Sequence, residues 1–267
     1  MELIGMSDLD TNISATALKA LSVLDFVGEQ RRPVTVAEVA AGIAADRATA
    51  YRMLMTLVQS GYVQKEADAK HYRLTFKVLS LARHLVGDDE RAGRILGCLR
   101  AISEETGETV HYSVLERDAA VLVYRAKGTQ RVAVDFQIGD RSPLHCSSIG
   151  KVLLAFRDVR ATEAVIAAGL TKVAPNTITD PDALRRSLAR IRADGYAFDD
   201  LEFAPDMRCV ALPVFENGGE VPGGIAISGP ASRFDFDKLA ALRDIAQRHA
   251  AKLSRELGGV LKPSWHC

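Results

Sequence analysis

Residues 35–61 read TVAEVAAGIAADRATAYRMLMTLVQSG, and this stretch decides the fold of the N-terminal part of the chain. Thr35-Val36-Ala37-Glu38 has the form of a capping box, in which a Thr side chain and a Glu three residues on satisfy the first N–H groups of a helix. The helix it opens is predicted over Val36 to Ala44, with Val39, Ala40 and Ile43 as its buried stripe. Asp46 is placed to cap a third helix from Arg47 to Ser60, whose apolar face is Ala50, Leu54, Leu57 and Val58, with Met53 beside it. Gly61 stands where a glycine ends a helix. Two short helices joined by a tight turn form a helix-turn-helix pattern. The second helix carries Arg47, Thr49, Tyr51 and Arg52 at its start, largely away from the apolar stripe.

Working outward, Ser14 to Gly28 reads as a helix, with Ala17, Ala20, Leu21, Leu24 and Val27 at helical spacing. Arg31-Arg32-Pro33 breaks it, since proline disfavours helix at the preceding residue. On the other side, Tyr62–Lys65 and His71–Leu74 alternate around Glu66-Ala67-Asp68-Ala69, a β-hairpin pattern. Three helices and a hairpin make a winged helix-turn-helix over residues 14–75. In that geometry the start of the third helix meets base edges in the major groove. Arginine bonds guanine bidentately, and threonine contacts bases or phosphate. Lys65, Lys70 and Arg73 fall where a wing approaches phosphates. The alternative is a three-helix protein-interaction module with solvated charges. The coincidence of capping, glycine stop, hairpin length and basic residues on one presumed face favours the winged helix.

Net charge taken alone opposes nucleic acid, because 34 Lys+Arg balance 34 Asp+Glu. The distribution reverses this. Residues 19–86 hold ten Lys/Arg against six acids, a surplus of +4, whereas 87–267 hold 24 against 25. The whole is 267 residues, 48% hydrophobic and 25% charged, an ordinary globular mix of a length that suggests two domains. No apolar run approaches a membrane span. Met1 to Asp10 carries acids and no base, which argues against a secretory signal and for the cytoplasm. Cys98, Cys146, Cys209 and Cys267 are scattered without C-x-x-C, so neither a zinc site nor disulfides are expected.

Beyond the hairpin, Phe76–Val86 reads as a linker helix and Gly87-Asp88-Asp89 as a hinge, together spanning 76–89. Residues 90–258 then mix helices and strands. Helices are predicted over 90–106, Ser147–Phe156, Arg160–Ala168, Ala183–Ala193 and Asp235–Leu257. Strands are predicted over Thr109–Leu115, Val121–Arg125, Val132–Ile138, Tyr196–Asp199, Arg208–Phe215 and Gly223–Ser228. Asn217-Gly218-Gly219 marks a hairpin turn. Hairpins predominate, so the fold class is α+β with an antiparallel sheet. Enzyme signatures are missing: no G-x-S-x-G, P-loop, H-E-x-x-H or G-x-G-x-x-G. His145-Cys146, read as an extended pair, would point to opposite faces and fit poorly as nucleophile and base. No catalytic residue, metal ligand or cofactor is expected. A metabolic enzyme with an appended interaction module, or a scaffold, are the competing classes.

The chain resembles the IclR family of bacterial transcription regulators over nearly its full length. The resemblance runs through Arg47–Arg52, Gly61-Tyr62-Val63 and Tyr72-Arg73-Leu74, then Gly139 through Lys151. It continues through Gly195-Tyr196-Ala197, Asp199-Asp200, Glu202-Phe203, Met207–Ala211 and Ile227–Pro230 in family order. It implies a winged-helix homodimer, or dimer of dimers, on a palindromic operator of double-stranded DNA. It also implies a GAF-like domain that binds a small-molecule effector, and a repressor or activator of catabolism of an organic or aromatic acid; a repressor is expected here. By family position the effector residues are Ser148, Ile149, Asp199, Cys209, Ala226 and Ser228. The start of the helix at Ser147 independently suits a carboxylate, because its first N–H groups lack helical partners. Ala226 and Ile149 stand where more polar or smaller residues are common in the family, which leans toward a larger or partly apolar ligand. Asp206 stands where glycine is common.

Overall fold

The computed structural model describes residues 13–67, 70–83, 90–217 and 219–261. The predicted hinge at Gly87-Asp88-Asp89, and parts of both predicted hairpin turns, lie outside the described residues. Helix-start hydrogen bonds organise the first of two compact units, Met1–Leu85. Ser14 caps α1 (Ala15–Glu29) by accepting from the Ala17 N–H. β1 (Val34–Thr35) runs directly into α2 (Val36–Gly42), where the Thr35 hydroxyl accepts from the Glu38 N–H and Glu38 accepts from the Thr35 N–H at 2.7 Å. Asp46 caps α3 (Arg47–Gln59). Gly61 follows it at φ +80°, the left-handed conformation that a side chain resists. β2 (Val63–Lys65) and β3 (His71–Leu74) form the hairpin, and α4 (Lys77–Ala82) closes the unit. β1 pairs with β3, making a three-stranded antiparallel sheet of order β1-β3-β2. Two residues are too few to show a strand's alternation, so β1 had no signature in the sequence. Val23, Val39, Ala50, Leu54 and Tyr72 fill the core between helices and sheet.

The second unit, Val86–Cys267, is built on a six-stranded antiparallel sheet. In chain order it contains α5 (Glu90–Thr106), β4 (Val110–Glu116), β5 (Ala119–Ala126), β6 (Arg141–Pro143), α6 (Ser148–Ala155) and α7 (Val159–Ala168). α8 (Pro181–Asp194), β7 (Ala197–Asp200), β8 (Met207–Glu216), β9 (Glu220–Pro230) and α9 (Phe236–Glu256) follow. The strand order is β6-β5-β4-β9-β8-β7. Both sheet faces are covered, and alternation sorts the side chains between them. Tyr112, Val210, Ile225 and Ile227 pack against α5 and α9 through residues such as Leu99 and Leu242. The other face carries the smaller Ala197, Ala211 and Ala226, and α6 and α8 pack on it through Leu153 and Leu184.

Two expectations fail here. Residues 132–138 are not a strand; the third strand of this region is β6, further on. Val132 and Ile138 alternate as strand residues do, yet both are exposed. The backbone at Phe136 is drawn off instead by Arg125, whose Nη1 donates to the Phe136 carbonyl at 2.7 Å. His145 and Cys146 lie in a turn rather than an extended segment. Among the described residues, no helix is long and apolar enough to cross a membrane, and no group of His, Cys, Asp and Glu is placed to hold a metal.

Candidate DNA-reading helix and ligand cavity

At the start of α3, Arg47, Tyr51 and Arg52 are exposed. Thr49 is not: it is buried, which corrects the expectation that it faces outward with them. Its N–H donates to Asp46 Oδ1 at 2.8 Å and its hydroxyl donates to Asp46 Oδ2 at 2.7 Å. These bonds, the Thr49 N–H first, hold the Asp46 carboxyl below its ordinary pKa. Arg52 Nη2 in turn donates to the Thr49 hydroxyl at 3.3 Å. The helix thus starts on a chain of three side chains that ends at an exposed guanidinium. On the wing, Lys65 and Lys70 are exposed, with Lys65 Nζ 5.9 Å from the centre of the Tyr72 ring. Arg73 is exposed and ion-paired with Glu66 across the hairpin. The wing's bases are therefore present at the surface, but Arg73 already has a carboxylate partner.

The second unit holds a cavity between the sheet and the start of α6. All six residues aligned as effector contacts line it: Ser148, Ile149, Asp199, Cys209, Ala226 and Ser228. Sheet register explains their convergence. Asp199 on β7 lies opposite Cys209 on β8, and Cys209 lies opposite Ser228 on β9. One row along, Ala226 lies opposite His111 on β4. Residues two apart on a strand share a face, so these side chains open onto one space. α6 caps it from above: Ser147, the N-cap, accepts from the Gly150 N–H at 3.0 Å. Ser148 and Ile149, which line the cavity, stand in the first turn of α6, where N–H groups lack helical partners and suit an anion.

Burial sets the electrostatics. Asp199 is fully buried, and desolvation raises its pKa to about 6 despite bonds from the Glu202 and Phe203 N–H groups to Oδ1. Its Oδ2 has no partner among the described residues. The Cys209 thiol is pushed well above its ordinary value by burial, and Cys146 to about 12. Neither thiol is the thiolate that nucleophilic chemistry uses. Lys151, buried on α6, donates to the Phe198 carbonyl at 2.8 Å and pairs with Glu202. That ties α6 to the end of β7 beside Asp199.

Lining residues that the sequence reading did not assign to the site include His111, Ser113, Phe136 and Phe203. A signal existed for the first two. Val110-His111-Tyr112-Ser113-Val114 alternates polar with apolar, so one face of β4 had to be polar although the strand is buried. Phe136 and Phe203 lie in irregular segments, where periodicity gives no signal; Phe203 had only its place in the family-ordered Glu202-Phe203. Their rings stand 6.2 Å apart, and His111 meets Phe136 edge-on at 5.5 Å. The enclosed cavity volume is about 30 Å³. Small-molecule sites usually offer on the order of 300 Å³ or more, so the walls stand drawn together.

A helix-turn-helix unit joined in one chain to a sheet domain with a polar cavity defines a class: transcription regulators that couple DNA binding to an effector-binding domain. Two family descriptions match, the IclR helix-turn-helix domain over residues 16–67 and the bacterial transcriptional regulator IclR C-terminal domain over 92–255. The chain belongs to the IclR family of bacterial transcriptional regulators, whose members are not enzymes. It is 30% identical to the HTH-type transcriptional regulator KdgR of Escherichia coli strain K12, covering 94% of this chain and 97% of that one. It is 34% identical to the regulator BhcR of Paracoccus denitrificans, covering 88% and 85%. Its fold is similar to the crystal structure of the Thermotoga maritima IclR, with a TM-score of 0.74 at 30% identity over 91% of this chain and 98% of that one.

Proposed function

We propose that this regulator is an effector-controlled repressor of a catabolic operon for a small organic or aromatic acid, acting in the cytoplasm. In this reading residues 14–75 bind a palindromic operator as a homodimer or dimer of dimers, and 76–89 link them to a GAF-like sensor over 90–258. Arg47, Tyr51 and Arg52 contact the operator directly, Lys65, Lys70 and Arg73 face phosphate, and Thr49 acts by holding the helix start. The observation that carries the sensor is the convergence of Ser148, Ile149, Asp199, Cys209, Ala226 and Ser228 on one polar cavity beneath the α6 start. Relatives named as repressors support the sign, among them the DNA-binding transcriptional repressor YiaJ of Escherichia coli strain K12, 29% identical. A fold neighbour, the IclR homolog of Microbacterium hydrocarbonoxydans, was crystallised with 4-hydroxybenzoate.

The test has two arms. Duplexes selected from a random pool by the intact protein should share a palindrome, and Arg52→Ala should weaken binding to them at least about tenfold with unchanged melting, the loss of one good base contact. Acids that raise the melting point of the wild type should release it from that DNA, and Ser228→Ala should abolish release while keeping DNA affinity. Full DNA affinity in Arg52→Ala removes the helix assignment. A normal response in Ser228→Ala removes the cavity assignment.

A further inference from the structure

Two buried polar atoms in the cavity wall lack partners among the described residues: His111 Nε2 and Asp199 Oδ2. Both residues line the same space and are shielded from solvent, at 2% and 0% exposure. A protein fold rarely leaves such atoms unsatisfied, and two of them facing one cavity call for a common partner. His111 meets Phe136 edge-on and lies opposite Ala226 on β9 and Arg125 on β5, so neither strand partner sets a hydroxyl beside it. Resting on the reading of this cavity as the effector site, we infer that its ligand is a carboxylic acid bearing a hydroxyl group, and that His111 is the residue selecting for that hydroxyl, with Asp199 as its second partner.

The chemistry of the two atoms narrows the choice. Burial lowers the His111 pKa to about 4, so the imidazole is neutral at neutral pH and supplies no charge for an anion. Asp199 repels one. The ligand's carboxylate therefore belongs at the α6 start with the Ser148 and Ile149 N–H groups and Ser228, where partial positive charge is available. A hydroxyl fits the other end because it donates and accepts at once: its single proton goes to one of these two atoms and its oxygen accepts from the other. Phe136 and Phe203 flank this end and favour an apolar body between the two polar groups.

The experiment is calorimetric titration of the full-length protein with matched acids: benzoate, 3- and 4-hydroxybenzoate, 4-aminobenzoate, propanoate, and 2- and 3-hydroxypropanoate. At least one hydroxylated acid should bind about tenfold or more tightly than its parent, since a site built for a hydroxyl rejects the analogue lacking it. His111→Phe, which keeps a ring at this position, should bring that ratio to within about threefold. His111→Gln, which keeps a donor and an acceptor, should retain part of the preference. If His111→Phe does not fold, the wild-type ratio and His111→Gln decide. Parent acids binding as well as hydroxylated ones, a preference for the amine, or selectivity surviving in His111→Phe overturns the inference while leaving the cavity as an acid site. Failure of every acid to bind overturns the cavity reading and this one with it.

Discussion

Asp199 shows how one buried side chain acquires both a structural and a titratable role. Its Oδ1 pins the turn after β7 through two backbone N–H groups, while the desolvated carboxyl keeps its proton up to about pH 6. In the unfolded chain the same group loses its proton near pH 4. Between roughly pH 4 and 6 the native state binds more protons than the unfolded state, so this carboxyl makes stability fall as pH rises through that window. Glu202 shifts the same way, with burial opposed by Lys151, so the two must be separated by mutation. Asp199→Asn should flatten the melting-point profile between pH 4 and 6 relative to the wild type. Parallel profiles would assign the slope elsewhere. Thr49 is the counter-case at this scale. A polar residue near the start of α3 read as a base contact, but its hydroxyl and N–H both belong to the Asp46 cap. Threonine at the third helical position serves either purpose, and only the three-dimensional path of Asp46 distinguishes them.

At the scale of elements, the start of α6 is the most constrained junction in the sheet unit. A Cβ built on Gly150 would lie 2.3 Å from the Pro143 carbonyl oxygen and 2.7 Å from the Leu144 Cα, both backbone atoms that cannot rotate aside. Gly150→Ala must therefore push the helix start away from the β6 end. It should destabilise the protein by about 1–3 kcal/mol, the usual cost of forced overpacking. Because that displacement moves Ser148 and Ile149, acid binding should weaken as well. Denaturant titration checks the first effect and calorimetry the second; an Ala variant with wild-type values in both would show the junction to be slack. Elements of this kind were legible where caps and periodicity agreed, as at Thr35-Val36-Ala37-Glu38 and Asp46. Six cavity residues also came from the sequence, but through family position; sheet register is what brings Asp199, Cys209 and Ser228 into line. The segment 132–138 was misread because alternation alone does not reveal which backbone groups find partners. Arg125 satisfies Phe136 from the side chain, and the strand ladder passes instead to β6.

The whole molecule divides its apolar residues into separate sets. Leu54 and its neighbours form a core within the first unit, and Ile225 belongs to a core within the second. The first unit is small and has a three-stranded sheet of two, three and four residues, so its stability rests on one modest cluster. The second covers both faces of six strands. Cooperative unfolding follows shared cores, and chains with more than one core depart from two-state behaviour. Differential scanning calorimetry of the full-length protein should therefore resolve two transitions. Leu54→Ala and Ile225→Ala each remove a fully buried side chain, and each should cost its own core about 2–5 kcal/mol. Leu54→Ala should lower one transition and leave the other in place, and Ile225→Ala should do the reverse. An acid that binds the cavity should raise only the transition that Ile225→Ala lowers, because ligand stabilises the unit whose folded form it binds. A single transition displaced by both variants would instead mean that the two units melt as one.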